Sequence, residues 1–197
     1  GSTFRRGDPP ASAVRQSEII SNLLDSRGSF SLELLCRLHA AAMEETDVPS
    51  QLRGPLERIS ISNSAHSLPD SEAVPTMLDE LCVQLDAAYG AGQDPYHIAA
   101  FALWRVNYIH PFRDGNGRTA RGAAYLLLCR AGIAVPSASA LSAFHESFQE
   151  ARIRRSYIEG LAQADARAAA AVVLPRPHDD ESLAARELAQ LLTSLDL

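Results

Sequence analysis

The stretch "DPYHIAAFALWRVNYIHPFRDGNGRTARGAAYLLLCRAG", from Asp94 to Gly132, decides the fold. Asp94 followed by Pro95 is typical of a helix start, and the residues that follow are apolar on nearly all sides, as in a helix at the centre of a bundle. A second helix is predicted from Gly117 or Arg118, with Gly132 as its terminating glycine. We therefore expect a helix, a loop and a second helix.

Helical spacing of apolar residues recurs outside this segment, so an all-α helical bundle is expected. One region, residues 52–62, is different, because Arg58-Ile59-Ser60-Ile61-Ser62 alternates in polarity and predicts a small β-hairpin. The helical positions are Ile19, Ile20, Leu23 and Leu24, then Leu34, Leu35 and Leu38, then Leu78, Leu81 and Leu85, and later Leu141, Phe144 and Phe148.

A length of 197 residues suits one domain with an appendage. Residues 1–16 are interpreted as a remnant of tag removal (Gly1-Ser2) and a flexible, proline-bearing lead-in. Residues 17–165 are assigned to the domain. Residues 166–197 are expected to form a linker and a short amphipathic C-terminal helix. The apolar face of this helix could pack on a second copy of the chain as well as on its own core, so the sequence is also compatible with a homo-oligomer.

Bulk composition excludes several classes of protein. A net charge of -6 and a pI near 5.5 argue against a nucleic-acid binder, which usually has a basic surface. No apolar run reaches membrane-spanning length, so no membrane partner is expected. Three widely spaced cysteines suggest neither a disulfide framework nor a zinc site, and a cytoplasmic location is the simplest expectation.

The loop has the residues that an anion site needs. Gly115, Asn116 and Gly117 open the second helix, and glycines allow a phosphate to approach backbone N–H groups at a helix N-terminus. Arg118 and Arg121 follow on the first turn, where two guanidinium groups can hold a polyphosphate. The sequence therefore predicts a nucleotide phosphate here.

Two further residues of the loop suggest chemistry on that nucleotide. Histidine is the side chain that ordinarily changes charge near neutral pH, so His110 can take a proton from an incoming hydroxyl, and Asp114 can hold Mg²⁺ together with substrate phosphates. Phe112 is expected to turn inward and anchor the loop. Each residue alone more often has a structural role, and it is their joint occurrence that indicates a catalytic site.

"HPFRDGNGRTAR", residues 110–121, resembles the signature H-P-F-x-[D/E]-G-N-G-R-x-x-R of Fic domains. The resemblance implies a helical fold and an enzyme that transfers AMP from ATP to a Ser, Thr or Tyr hydroxyl of a target protein, with release of pyrophosphate. The resemblance also leaves open that such an enzyme transfers AMP to its own side chains. The resemblance further implies that His110 is the general base, that Asp114 binds Mg²⁺, and that the glycines and arginines hold the phosphates.

The resemblance extends beyond the loop. Residues 52–62 lie where Fic proteins keep a β-hairpin flap that docks the target protein by strand addition. "SEIISN", Ser17 to Asn22, resembles an inhibitory helix within residues 17–24, with Ser21 in place of the glutamate that would pair with Arg121. The same residues also fit a helix whose Ile19, Ile20 and Leu23 simply pack in the core.

Two alternatives remain open from the sequence. A Fic-fold transferase could use another nucleotide donor, or the domain could be a non-catalytic ATP-binding interaction module. If the protein is an effector, delivery into a host cytosol replaces the cytoplasmic expectation.

Overall fold

The computed structural model describes residues 8–44, 50–54, 67–171, 185–195 and 197. These residues are helical with connecting loops and contain no strand, which confirms the all-α class. A 3₁₀ turn, Ser71–Ala73, precedes the third helix. The helices are α1 Ala11–Ser26, α2 Leu32–Ala42, α3 Val74–Gly90, α4 Pro95–Ile109, α5 Asn116–Arg130, α6 Ala138–Ser147, α7 Ala151–Ala170 and α8 Arg186–Thr193.

Helix α4 is the central element of the bundle, as its apolar sequence predicts. It packs against α3, α5, α7 and α8, and its residues from Ile98 to Val106 are all buried. Trp104 is fully buried, and its indole N–H donates a 2.8 Å hydrogen bond to the Asp165 carboxylate. This bond replaces the hydrogen bond to water that the indole N–H loses when the side chain is buried.

The ends of α4 and α5 place the loop between them. The Asp94 side chain accepts a hydrogen bond from the His97 N–H and so caps α4. Helix α4 ends where His110 adopts the left-handed conformation (φ 51°). Helix α5 begins at Asn116, one residue earlier than expected, because Gly115 at φ 75° reverses the chain directly before it.

Helix α1 begins at Ala11, inside the region expected to be a flexible lead-in. Pro10 precedes the helix in an extended conformation, and its carbonyl accepts the first backbone hydrogen bonds of the helix. Ala13 and Gln16 are almost completely buried. Residues 11–16 are therefore part of the packed domain, since their inner face lies against the core.

The expected β-hairpin flap is not seen in the described residues. Leu52, Arg53 and Gly54 form no strand, and residues 55–62 lie outside the described part of the chain. The backbone N–H of Arg53 instead donates to the carbonyl of Pro111 at 2.8 Å. This segment is therefore attached to the loop between α4 and α5.

The C-terminal helix α8 packs on the domain. Leu188 and Leu192 are fully buried, and Gly160 of α7 lies so close to Leu188 that a Cβ there would be 2.7 Å from its methyl carbon. Residues 166–170, with which the linker was expected to begin, instead continue α7, and residues 172–184 lie outside the described residues. None of the described helices has the length and apolar character needed to cross a bilayer.

An ion pair joins α7 to α8 and makes stability depend on pH. Arg167 binds the Glu187 carboxylate with both terminal nitrogens, one at 2.6 Å, and these bonds lower the pKa of Glu187 to about 2. A lowered pKa stabilises the fold at pH values above the unfolded pKa of about 4.5, and this stability is lost as the pH falls toward 2.

We expect Glu187→Gln to lower the free energy of unfolding at pH 7 by about 1 to 2 kcal/mol, because the pair is partly open to water. The difference from wild type should shrink between pH 4.5 and pH 2. Urea unfolding at several pH values measures it. A difference that stays constant over this range would show that the ion pair is not its cause.

Candidate active site

The site begins at His110, where α4 gives way to the loop. Its N–H donates the last hydrogen bond of α4, to the carbonyl of Val106, and its φ of 51° turns the chain out of the helix. A left-handed conformation is uncommon for a residue other than glycine and is typically maintained at functional positions. The fold thus holds this histidine in a conformation that it would not adopt by itself.

The hydrogen bond of the His110 ring fixes its tautomer. Nδ1 lies 3.3 Å from the carbonyl oxygen of Asn107. A carbonyl can only accept, so Nδ1 carries the proton in this contact and the lone pair is on Nε2. This is the arrangement that a general base requires.

Arg53 donates hydrogen bonds to the backbone carbonyls at the end of α4, including that of His110. Its Nε donates to the His110 carbonyl at 2.9 Å, and its Nη2 donates to the carbonyls of Pro69 and, at 3.4 Å, of Ile109. The side chain is buried, and its charge lies at the C-terminus of α4, where a cation is favoured. Arg53 was not predicted from the sequence, since nothing in the residues around it marks a contact this distant.

The side chain of Asn116 closes the loop. Its Oδ1 accepts from the N–H of Phe112 at 2.9 Å, and its Nδ2 donates to the carbonyl of Phe112 at 2.8 Å. Both residues are almost fully buried. Phe112 turns inward as expected, and its ring stacks on His39 with centroids 3.8 Å apart.

His39 of α2 supports the loop from the other side. Its Nε2 donates to the carbonyl of Asp114 at 2.8 Å, so its Nδ1 accepts from the Ser50 hydroxyl at 2.6 Å. A Cβ on Gly115 would lie 2.5 Å from the Met43 sulfur and 3.0 Å from His39 Nε2. Glycine is therefore required here by close packing as well as by its φ of 75°.

The first turn of α5 provides backbone donors at the end of the loop. The first bond within the helix is donated by Thr119 to the carbonyl of Gly115, so the N–H groups of the three preceding residues lie outside the helical pattern. The Gly115 N–H itself donates to Asp114 Oδ1 at 2.6 Å. A Cβ on Gly117 would make only ordinary contacts, so packing alone does not require glycine there.

Arg118 and Arg121 line one pocket of about 230 Å³ between α1, α2, α5 and α6. Arg118 is exposed, and its Nη1 donates to the carbonyl of Ala42 at the end of α2, at 2.7 Å. Arg121 is half-buried, and burial lowers the pKa of its guanidinium. The structure thus brings the two arginines to the same cavity.

Among the described residues, the hydrogen-bond and ring partners of Arg121 are uncharged. Its Nε donates to His145 Nδ1 at 3.3 Å, the Tyr157 hydroxyl accepts a second bond, and its guanidinium carbon is 5.5 Å from the Phe148 ring centroid. The Tyr157 hydroxyl also accepts from Asn107 Nδ2 at 2.9 Å. Because Asn107 also contacts His110, one network connects the histidine and the arginine.

Helix α1 contacts this network through Gln16. The hydroxyl of Ser21 donates to the carbonyl of Pro136 at 3.3 Å, in the connection between α5 and α6. Gln16, one and a half turns earlier, contacts His145 and lines the arginine pocket. That Ser21 stands in place of a glutamate that would pair with Arg121 stays a prediction, because a serine has no carboxylate with which to form this pair.

We expect Asn116→Ala to lower the free energy of unfolding by about 2 to 4 kcal/mol, because it leaves a buried N–H and a buried carbonyl of Phe112 unpaired. Asn22→Ala, at an exposed position of α1, is the control and should change it little. Denaturant unfolding measures both variants. Equal stabilities would show that the Asn116 bonds do not hold the loop.

Comparisons with known proteins agree with this geometry. The Fic/DOC family model matches residues 29–128. "Protein adenylyltransferase Fic" of Drosophila willistoni is 46% identical over 48 residues, or 24% of this chain and 10% of that protein. The protein of the same name from Culex quinquefasciatus is 28% identical over 114 residues, or 58% of this chain and 22% of that protein.

Solved structures show the same fold. A Fic domain containing signaling protein from Bacteroides thetaiotaomicron superposes with a TM-score of 0.67 at 20% identity, covering 93% of this chain and 65% of that one. Fic-1 from C. elegans gives a TM-score of 0.55 at 19% identity, with 97% and 53% covered. The matched segments span at most about a fifth of the two curated relatives. Because the family model covers half of its length, the chain belongs to the Fic/DOC family.

Proposed function

We propose that the protein is an adenylyltransferase that moves AMP from ATP to the hydroxyl of a Ser, Thr or Tyr side chain on a target protein, releasing pyrophosphate. The observation that carries the proposal is the pocket lined by Arg118 and Arg121 beside the first turn of α5, at the end of the loop that begins with His110. The names of the similar insect proteins support the same reaction.

The phosphate site is built from this chain's own donors. The first-turn N–H groups of Asn116, Gly117 and Arg118 and the positive end of the α5 dipole favour an anion. Because packing does not require glycine at 117, the missing Cβ is best explained by a ligand that approaches the backbone there. Arg118 and Arg121 then hold the phosphate tail.

His110 acts as the general base in this proposal. Its Nε2 takes the proton of the target hydroxyl while the hydroxyl oxygen forms a bond to the α-phosphorus. The bond from that phosphorus to the pyrophosphate oxygen breaks, and the pyrophosphate leaves with the negative charge that the arginines stabilise. The Asn107 carbonyl keeps Nδ1 protonated and so keeps the base in the correct tautomer.

Asp114 is the residue that would hold Mg²⁺. The described residues contain no group of three His, Cys, Asp or Glu side chains that could hold a metal, but Mg²⁺ commonly uses one or two carboxylates together with substrate phosphates. Asp114 is exposed beside the phosphate site, and its Oδ1 accepts from the Gly115 N–H. When bound, Mg²⁺ would neutralise charge on the phosphates.

The proposed donor is ATP and the proposed acceptor is a protein. The complete G-N-G-R sequence at residues 115–118, together with Arg121, supports a nucleoside triphosphate over a donor with fewer phosphates, because two arginines are then available for the tail. The target would dock at residues 52–62. Arg53 belongs to that segment and binds the His110 carbonyl, so the docking segment and the base are directly linked.

His110→Ala should lower AMP transfer by about 10² to 10⁴-fold, because the target hydroxyl loses its base. Mass spectrometry for AMP on the protein and on lysate proteins, after incubation with Mg²⁺ and ATP, measures it. His97→Ala is the matched control, since His97 is a partly exposed histidine at the opposite end of α4. Transfer that persists without His110 contradicts the assigned mechanism.

Arg53→Met should lower kcat about tenfold with little change in the ATP KM, because the His110 backbone loses its support while the phosphate site is intact. Steady-state kinetics on an identified target measures both constants. Arg152→Met, at an exposed position of α7, is the control. A change in KM alone would place Arg53 in nucleotide binding instead.

A further inference from the structure

A chain of hydrogen bonds leads from Arg121 to helix α1. Arg121 Nε is 3.3 Å from His145 Nδ1, His145 Nε2 is 3.0 Å from Gln16 Oε1, and Gln16 Nε2 is 2.9 Å from the carbonyl of Leu38 in α2. The chain therefore connects four helices, α5, α6, α1 and α2. We call Gln16 and His145 the arginine relay.

Chemistry fixes the direction of every bond in the relay. A guanidinium can only donate, so His145 Nδ1 accepts and the ring proton is on Nε2. That proton is donated to Gln16 Oε1, which leaves the Gln16 amide nitrogen to donate to the Leu38 carbonyl. Only a neutral His145 fits, because a protonated ring would direct a second donor at Arg121.

The surroundings keep His145 neutral. Burial, and then the positive charges of Arg121 and Arg118, lower the pKa of His145 to about 3. The relay therefore keeps its hydrogen bonds throughout the neutral range. Gln16 is 1% exposed, so its amide cannot exchange these partners for water.

Close packing holds Gln16 in this place. A Cβ on Gly122 of α5 would lie 2.9 Å from Gln16 Nε2, so the glycine allows α1 and the amide to approach α5 closely. One turn of helix separates Gly122 from Arg118, and Arg121 is its neighbour. The relay thus lies directly behind the phosphate-binding end of α5.

A relay made of neutral groups orients Arg121 without cancelling its charge. A carboxylate partner would compete with a phosphate for the guanidinium, whereas an imidazole and an amide do not. We propose that Gln16 and His145 are positioning residues that hold Arg121 ready for the terminal phosphates of the nucleotide. The inference rests on the proposed function, since it assigns that arginine to the phosphate tail.

Two substitutions of His145 separate the links of the relay. In His145→Asn the side-chain oxygen can occupy the place of Nδ1 and still accept from Arg121, although the bond to Gln16 is lost. In His145→Gln the amide reaches the place of Nε2 and keeps Gln16 as a partner, but Arg121 loses its acceptor. The two variants differ little in size and polarity, so each is a control for the other.

The measurement is the dissociation constant of Mg²⁺-ATP and of AMP by calorimetry, with thermal unfolding in parallel. We expect His145→Gln to weaken ATP binding about tenfold, the cost of ordering one flexible side chain, and to change AMP binding less than twofold because AMP lacks the tail. His145→Asn should stay within about threefold of wild type for both ligands. If His145 had only a structural role, its substitution would weaken the binding of ATP and of AMP equally.

Gln16→Met provides a second test that leaves His145 in place. It keeps the length of the side chain but removes both of its bonds. The His145 ring then loses the acceptor that keeps its proton on Nε2 and leaves Nδ1 to accept from Arg121, which the asparagine oxygen of His145→Asn does not need. Gln16→Met should therefore weaken ATP binding in preference to AMP binding. Combined with His145→Gln it should add little, because the two residues act on Arg121 in series. Additive effects would contradict the relay.

The outcomes separate this inference from the proposed function. A wild-type protein that binds no ATP overturns the proposed function and the relay with it. A wild-type protein that binds ATP, with His145→Asn and His145→Gln equally affected or both unaffected, overturns the relay alone. Selective loss of ATP binding in His145→Gln and in Gln16→Met supports it.

Discussion

The two hydrogen bonds between the Asn116 side chain and the backbone of Phe112 are the interaction on which the site depends. They close the loop between α4 and α5 inside the protein, where neither group could find water. Phe112 is thereby fixed against His39, and His110 and the first turn of α5 are held at the two ends of the same closed loop. Each buried polar group left unpaired at this depth would cost about 1 to 3 kcal/mol.

Other parts of the bundle hold the residues that surround this loop. Helix α2 contributes His39, which binds the Asp114 carbonyl, and the carbonyl of Ala42, which binds Arg118. The segment 50–54 contributes Arg53, which binds the carbonyl of His110. Helices α1 and α6 contribute the arginine relay. The site is therefore assembled by contacts from the whole bundle, which is consistent with chemistry that depends on positioned charges.

The sequence predicted the features that are encoded locally. The apolar run from Ile98 to Val106 indicated a buried central helix, and the Asp94 cap and the glycine at 132 marked ends of α4 and α5. The loop residues could be singled out because their chemistry is unusual at such short spacing. What they do with a nucleotide stays a prediction.

Residues that act over long sequence separations could not be predicted. Arg53 lies 57 residues from His110, and Gln16 lies 129 residues from His145, so no periodic pattern relates them. The start of α1 was placed too late because Ala11 and Ala13 carry too little side chain to show an apolar face. No local pattern marks Gln16 either, because its place depends on the close approach of α1 to Gly122.

Comparison of two radioactive donors tests the central claim most directly. The protein or its His110→Ala variant is incubated with Mg²⁺ and ATP labelled either at the α- or at the γ-phosphorus, together with a cell lysate, and only label that requires His110 is counted, because kinases of the lysate transfer the γ-phosphorus in both samples. If the α-phosphorus is attacked, protein becomes labelled from the α-labelled donor and not from the γ-labelled one. Label that enters protein from the γ-labelled donor, or from neither donor, would contradict adenylyl transfer at this site.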